Sequence, residues 1–212
     1  MKSLSLIITV LILLAFASHG LAQEAAQPAT RESVLIHPKL PPYIFEIESK
    51  EAGEITIKIT GGPKNFHGQT ITANVEDEKR HGFQLVDVNF DGYEDFSVVE
   101  HRGATGNVNY AYWVFDPKTD GFKEASEFDD ITYVDQENKL LVSHSKGGNI
   151  ETITEYYRVE HGKPVPIKSV QTTWAREVRD ILPSNYPYTT VRITRIYKNG
   201  RISRMFYGQM DE

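Results

Sequence analysis

Between residues 43 and 174 the chain has no long stretch with helical periodicity. It has short runs rich in β-branched and aromatic residues, cut apart by Gly, Asn and Asp clusters. These runs fall at 43–47, 55–60, 70–75, 83–88, 96–100, 110–115, 131–134, 140–143, 150–159 and 165–174. One weakly helical stretch, 175–182, stops at Pro183. The reading is an all-β chain of antiparallel sheets in a single domain, a β-sandwich or a small propeller-like arrangement with a C-terminal β-hairpin.

Two segments sharpen that reading. In Tyr110, Ala111, Tyr112, Trp113, Val114 and Phe115 both faces are apolar, so neither can look at water and the strand is central, with Trp113 and Phe115 in the core. Near the C-terminus, Asn199-Gly200 is the preferred pair for a type I′ turn, in which both residues take positive φ. Folding the chain about that pair sets Tyr197 against Ile202, Ile193 against Phe206 and Arg195 beside Arg204. The two arginines then need either an internal acidic partner or an acidic ligand.

At the other end, Lys2 precedes an apolar run over residues 4–17 that closes on Ser18, His19, Gly20, Leu21 and Ala22. That core is short for a bilayer, and the small residues at 20 and 22 suit a signal peptidase. Residues 1–22 therefore read as a signal peptide, and the product as periplasmic or secreted. Residue 23 is Gln rather than Cys, so no lipid attachment point or stable membrane anchor is expected. Residues 23–42, rich in Ala, Gln and Pro, read as a linker or irregular lead-in, and residues 43–212 as an all-β calcium-binding domain.

Composition removes several classes of function. With no cysteine there are neither disulfides nor thiolate metal sites, so the fold is held by packing or by a bound ion. With 29 acidic against 23 basic residues, the chain lacks the dense cationic surface that nucleic acid requires. The seven histidines show no H-x-x-x-H or H-E-x-x-H spacing. His144 between Ser143 and Ser145 has no G-x-S-x-G elbow around it, and neighbours in sequence are not a triad in space. The chain is read as a binding protein, not an enzyme.

The chemistry is concentrated in Asp87, Val88, Asn89, Phe90, Asp91, Gly92, Tyr93, Glu94 and Asp95. A hard cation such as Ca2+ wants six to eight oxygens, and a chain supplies them by alternating ligands. Asp87, Asn89 and Asp91 alternate, Gly92 permits the reversal, Tyr93 offers its carbonyl and Asp95 returns a carboxylate. The twelfth position is Val98, where an EF-hand needs Glu, and strand-like runs flank the loop, so it is not an EF-hand. A simpler reading also stands: Asx residues and glycine close a hairpin without any metal.

DVNFDGYEDF resembles the calcium loops of FG-GAP and integrin-type propeller repeats. Taken with YAYWVFDPKTDGFKE, it more closely resembles a family of bacterial periplasmic immunity proteins. Those proteins neutralise lysozyme-like peptidoglycan hydrolases delivered by a killing type IV secretion system, and are similar in architecture to periplasmic lysozyme inhibitors. The resemblance spans residues 80–150, about a third of the chain. It implies that Asp87, Asn89, Asp91, Tyr93 and Asp95 bind calcium, and that the loop over residues 101–110, with His101, Arg102, Asn107 and Tyr110, is the surface that meets the hydrolase. An ion in the neighbouring loop would stiffen that surface and lower the entropy lost on binding. The acidic loop occurs only once, so a many-bladed propeller is not expected. The lipid-attachment cysteine often found in the family is absent.

Charge is uneven along the chain. Residues 85–140 hold thirteen acids against four bases, and residues 165–212 hold eight bases against four acids. Such a molecule either neutralises its own ends or steers a charged partner. Two functions follow: an inhibitor of a cell-wall hydrolase, or a calcium-stiffened binding or adhesion module for a glycan or a surface protein.

Overall fold

Alternation of buried and exposed residues sets the first sheet. In the computed structural model, which describes residues 30–50, 53–76, 81–148, 150–182 and 190–209, β2 (Tyr43–Ser49) and β3 (Glu54–Gly61) send Tyr43, Phe45, Ile47, Ile55, Ile57 and Ile59 to one side. β4 (Gln69–Asn74) adds Ile71 and Ala73 to that side. The register places Phe45 against Ile59 and Ile57 against Ile71, so the apolar residues stack in rows across the sheet.

The expected lead-in is corrected from Thr30 onward. Residues Thr30–Val34 form a strand, β1, antiparallel to β2, and Val34 and Ile36 are buried in the first core. Two apolar side chains of the right parity and an unpaired edge of β2 suffice to recruit this segment, despite its polar composition. The expected signal peptide and residues 23–29 lie outside the described residues.

A second four-stranded sheet follows: β5 (Gln84–Val86), β6 (Asp95–Arg102), β7 (Val108–Asp116) and β8 (Gly121–Glu124), paired in that order. It is the middle layer. Phe96, Val98, Trp113, Phe115 and Phe122 pack against the first sheet. On the other face, Tyr112 joins Val88, Phe128, Ile131 and Leu141 in a second core. Burial on both faces explains the unbroken apolar run from Tyr110 to Phe115, and β7 is an interior strand as the sequence requires. β8 has only Phe122 as an apolar anchor, which left it silent in the sequence.

The third sheet runs β9 (Tyr133–Asp135), β10 (Leu140–Lys146), β11 (Thr152–Glu160), β12 (Lys163–Trp174), β13 (Thr190–Lys198) and β14 (Arg201–Gln209). A small third cluster of Ala175, Leu182, Val191 and Ile193 holds its far end. The stretch expected to be weakly helical is a pair of 3₁₀ turns over Ala175–Ile181, broken at Val178, whose φ of -129° leaves the helical region. The fold is all-β, with three antiparallel sheets and a C-terminal hairpin.

The hairpin register differs from expectation. Asn199 and Gly200 do take positive φ, 52° and 70°, and Tyr197 does oppose Ile202. A register shift after Ile196 then places Ile193 against Tyr207 and Arg195 against Met205. Ser203, whose hydroxyl donates to the Ile196 carbonyl at 3.1 Å, is the extra residue of the bulge. Arg195 therefore does not face Arg204, and among the described residues no acid pairs with it: its guanidinium donates to the Gln171 side-chain oxygen at 2.9 Å.

Candidate functional site

The loop over residues 87–95 joins β5 to β6, and its own side chains shape it. Both Asp87 carboxylate oxygens accept backbone N–H groups, from Asp91 at 3.0 Å and from Gly92 at 2.8 Å. The Asn89 side-chain oxygen accepts the Asp91 N–H at 2.9 Å, and Asp91 accepts from Tyr93 N–H at 3.0 Å. The Asn89 amide donates to the other Asp91 oxygen at 3.0 Å. These are successive Asx turns, and they require the left-handed φ of Phe90, 58°, and of Gly92, 91°.

Asp95 is different in kind, because it opens β6 fully buried. Its two oxygens accept the N–H of Val88 at 3.0 Å and the N–H of Phe115 at 2.8 Å, tying the loop to β7. Burial pushes its carboxyl up to about 7, with Asp91 and Asp87 adding to the rise while the two N–H groups oppose it. Asp87 and Glu94 are also raised, in both cases chiefly by burial.

Three segments clamp the loop from outside. The Glu94 N–H donates to the Ile36 carbonyl at 2.8 Å, and the His37 and Tyr93 rings lie 4.7 Å apart. Tyr93 stacks on Phe115 at 5.1 Å. On the far side, the Gln136 amide donates to the Asp87 carbonyl at 2.8 Å, and the Lys139 ammonium sits 5.4 Å from the Phe90 ring centre. The site is thus built where all three sheets meet.

The loop's donors are hard oxygens, the chemistry a calcium ion takes, and each oxygen that accepts one N–H has a second acceptor position. Yet these side chains are turned onto the loop's own backbone, and among the described residues no three His, Asp or Glu side chains come together as a ready-made metal cage. Its own hydrogen bonds, with the ring contacts of Tyr93 and Phe90, hold the loop in this conformation. Any ion would have to draw on the remaining lone pairs of Asp87, Asn89, Asp91 and Asp95 and on the Tyr93 carbonyl.

Residues 101–110 are not next door. Only residues 103–107 connect β6 to β7; His101 and Arg102 end β6, about 20 Å from Asp95 at 3.3 Å per residue, and Tyr110 lies in β7 across from Val99. An ion held by the first loop could not stiffen the second by contact, which corrects the expectation that the two are neighbours. The four candidate residues, His101 and Arg102 at the end of β6, Asn107 in the connection and Tyr110 in β7, have separate roles. His101 and Arg102 are exposed, with the His101 ring 3.2 Å from a Glu76 oxygen. The Asn107 amide exchanges two hydrogen bonds with the Lys146 backbone, at 3.0 and 2.8 Å, fastening this loop to the end of β10. Tyr110 packs against the second core, its ring 6.1 Å from that of Tyr112.

An acidic group that sequence reading missed lies near this end of β6. Asp129 has a buried carboxylate oxygen without a hydrogen-bond partner, and its carboxyl is pushed up to about 6 by burial and by the charges of Glu100, Glu124 and Asp130. Its only sequence signal is the Asp129-Asp130 pair within the acid-rich half.

No protein-family model matches the chain, and no curated protein matches it. The fold is similar to that of a solved structure, a Xanthomonas type IV secretion system related protein, with 15% sequence identity and a TM-score of 0.50. The likeness covers 86% of this chain and 99% of that one. Among the described residues, no helix is long and apolar enough to cross a membrane.

Proposed function

We propose that this chain is an exported, calcium-binding protein of immunity type that neutralises a lysozyme-like peptidoglycan hydrolase in the setting of a type IV secretion system. The observation that carries the reading is the likeness in fold, over 86% of this chain, to a type IV secretion system related protein, joined to the DVNFDGYED loop that resembles the immunity family. Its action is stoichiometric binding, not turnover. The acidic half over residues 85–140 suits the approach of a basic hydrolase, since opposite charge raises the association rate.

The test is a turbidity assay of cell-wall lysis with a panel of lysozyme-type enzymes. At least one enzyme should lose activity in proportion to added protein, reaching full loss near equimolar ratio. Retention on immobilised glycan with every enzyme unaffected would instead establish the alternative, a binding or adhesion module.

The ion is tested separately, because the loop closes through its own hydrogen bonds. A thermal melt in millimolar calcium should run higher than one in chelator. At tenfold above the dissociation constant the gain is about 1.4 kcal/mol, or about 3–6 °C for a chain of this size. Identical midpoints would remove calcium from the proposal and leave inhibition standing.

A further inference from the structure

Residues 190–209 hold five of the chain's 23 basic residues and none of its 29 acids. They are the β13–β14 hairpin, and from Lys198 to Arg204 every residue is exposed, so its distal part projects from the body. The bulge at Ser203 arranges the charges. Lys198 lies directly across from Arg201, Arg204 across from Ile196, and Phe206 across from Thr194. Facing pairs share one side of a ribbon, so three cations and an aromatic ring occupy one face. Among the described residues none of these three cations has a carboxylate within ion-pair distance. Phe206 is 53% and Ile202 48% exposed.

Like charges directly across a strand pair destabilise it, and an anion from outside would relieve that repulsion. Arginine with an exposed aromatic residue is the chemistry of an interface centre, and the guanidinium fork matches a carboxylate. The two-residue turn presets the ribbon, so little order is lost on docking. Resting on the function proposed above, we infer that this face of the hairpin enters the substrate cleft of the hydrolase. There Lys198, Arg201 and Arg204 engage the cleft's acidic residues and Phe206 packs at its rim. Glycoside hydrolases carry a pair of carboxylates about 5–9.5 Å apart, a spacing that cations on adjacent strand pairs can span. An anionic membrane fits less well. Ile202 shares its face with Tyr197, away from the cations and Phe206, so no single orientation buries both apolar side chains.

The test compares wild type with Lys198→Glu/Arg201→Glu/Arg204→Glu against each enzyme the wild type inhibits. A second variant, Arg201→Gln/Arg204→Gln, serves if the first fails to fold. Because these side chains make no core contact, the thermal midpoint should not move, while the half-inhibitory concentration rises about 100-fold for the reversal. Inhibition by the wild type should also weaken as salt is raised. A folded reversal variant that inhibits within threefold of wild type would overturn the inference and spare the inhibitor reading. So would a loss of inhibition confined to His101→Glu/Arg102→Glu, which moves the contact to the β6–β7 loop. Binding to phosphatidylglycerol vesicles, or self-association, that the reversal abolishes while inhibition persists would likewise reassign the face. Failure of the wild type to inhibit any enzyme would defeat the proposed function, and this inference with it.

Discussion

Replacing Asp95 by alanine is expected to lower the unfolding free energy by roughly 2–5 kcal/mol, because two buried N–H groups lose their acceptor at once. Val88 and Phe115 donate to this one carboxylate from the loop and from β7, and the side chain has no exposure through which water could replace it. Asparagine should recover only part of the loss. It keeps one acceptor oxygen but turns an NH₂ toward the second N–H, a donor facing a donor. Asn89→Ala is the comparison within the same loop: its turn faces solvent, and water takes over the bond. Urea unfolding followed by circular dichroism measures all three. A loss below about 1 kcal/mol for Asp95→Ala would show that both N–H groups find other acceptors.

The second large effect is an inverted pH profile. Asp95 is raised from the usual 3.8 to about 7, and Asp129 from 3.8 to about 6. An unfolded chain releases these protons near pH 4, whereas the folded chain keeps them up to those higher values. Between the two, the folded state binds more protons, so stability falls as pH rises from about 4 to 7 and levels off above that. For Asp95 the integrated loss is on the order of 4 kcal/mol. Metal-free protein should therefore melt higher at pH 5 than at pH 8, the opposite of a chain stabilised by surface ion pairs. Asp129→Asn should flatten the slope between about pH 4 and 6 and leave the part above it unchanged. If calcium binds as proposed, it favours the ionised carboxylates and its addition should flatten the slope contributed by Asp95. Chelator-treated protein that is more stable at pH 8 than at pH 5 would refute the account.

Much of the architecture could be read before any coordinates. The rows of Ile and Phe in β2 to β4 alternate cleanly, and Tyr110 to Phe115 declares a strand covered on both sides. β1 escaped because its apolar residues end in a short run, Val34 to Ile36, set between Arg31-Glu32 and Pro38, and their burial depends on a neighbouring edge that the local sequence does not mention. The hairpin slipped for another reason. Either register pairs apolar with apolar, and the choice between them is made by the bulge at Ser203, a residue with no bulge signature of its own. In the candidate site the ligand-type residues were legible but the division of labour was not. Asp95 fits a cation pattern as well as Asp87 does, and only the approach of the Phe115 N–H, twenty positions later in the chain, makes it a bolt between loop and strand. The separation of the two loops was in fact readable, since the run beginning at Phe96 is itself the spacer that carries residue 101 away from residue 95.

Among the described residues every strand pairs only with its immediate predecessor or successor in the chain. Among the described residues no strand ladder links one sheet to the next, so the layers meet through side-chain packing and a few isolated backbone hydrogen bonds, such as Glu94 N–H to the Ile36 carbonyl. Contacts between near neighbours close quickly, and such a topology should fold faster than the interleaved Greek keys common among β proteins of equal length. The first sheet, however, has an apolar face that nothing covers until Phe96, Trp113 and Phe122 arrive. For that interval it is an open, adhesive surface, and a chain truncated before β6 should aggregate rather than persist as a smaller folded unit.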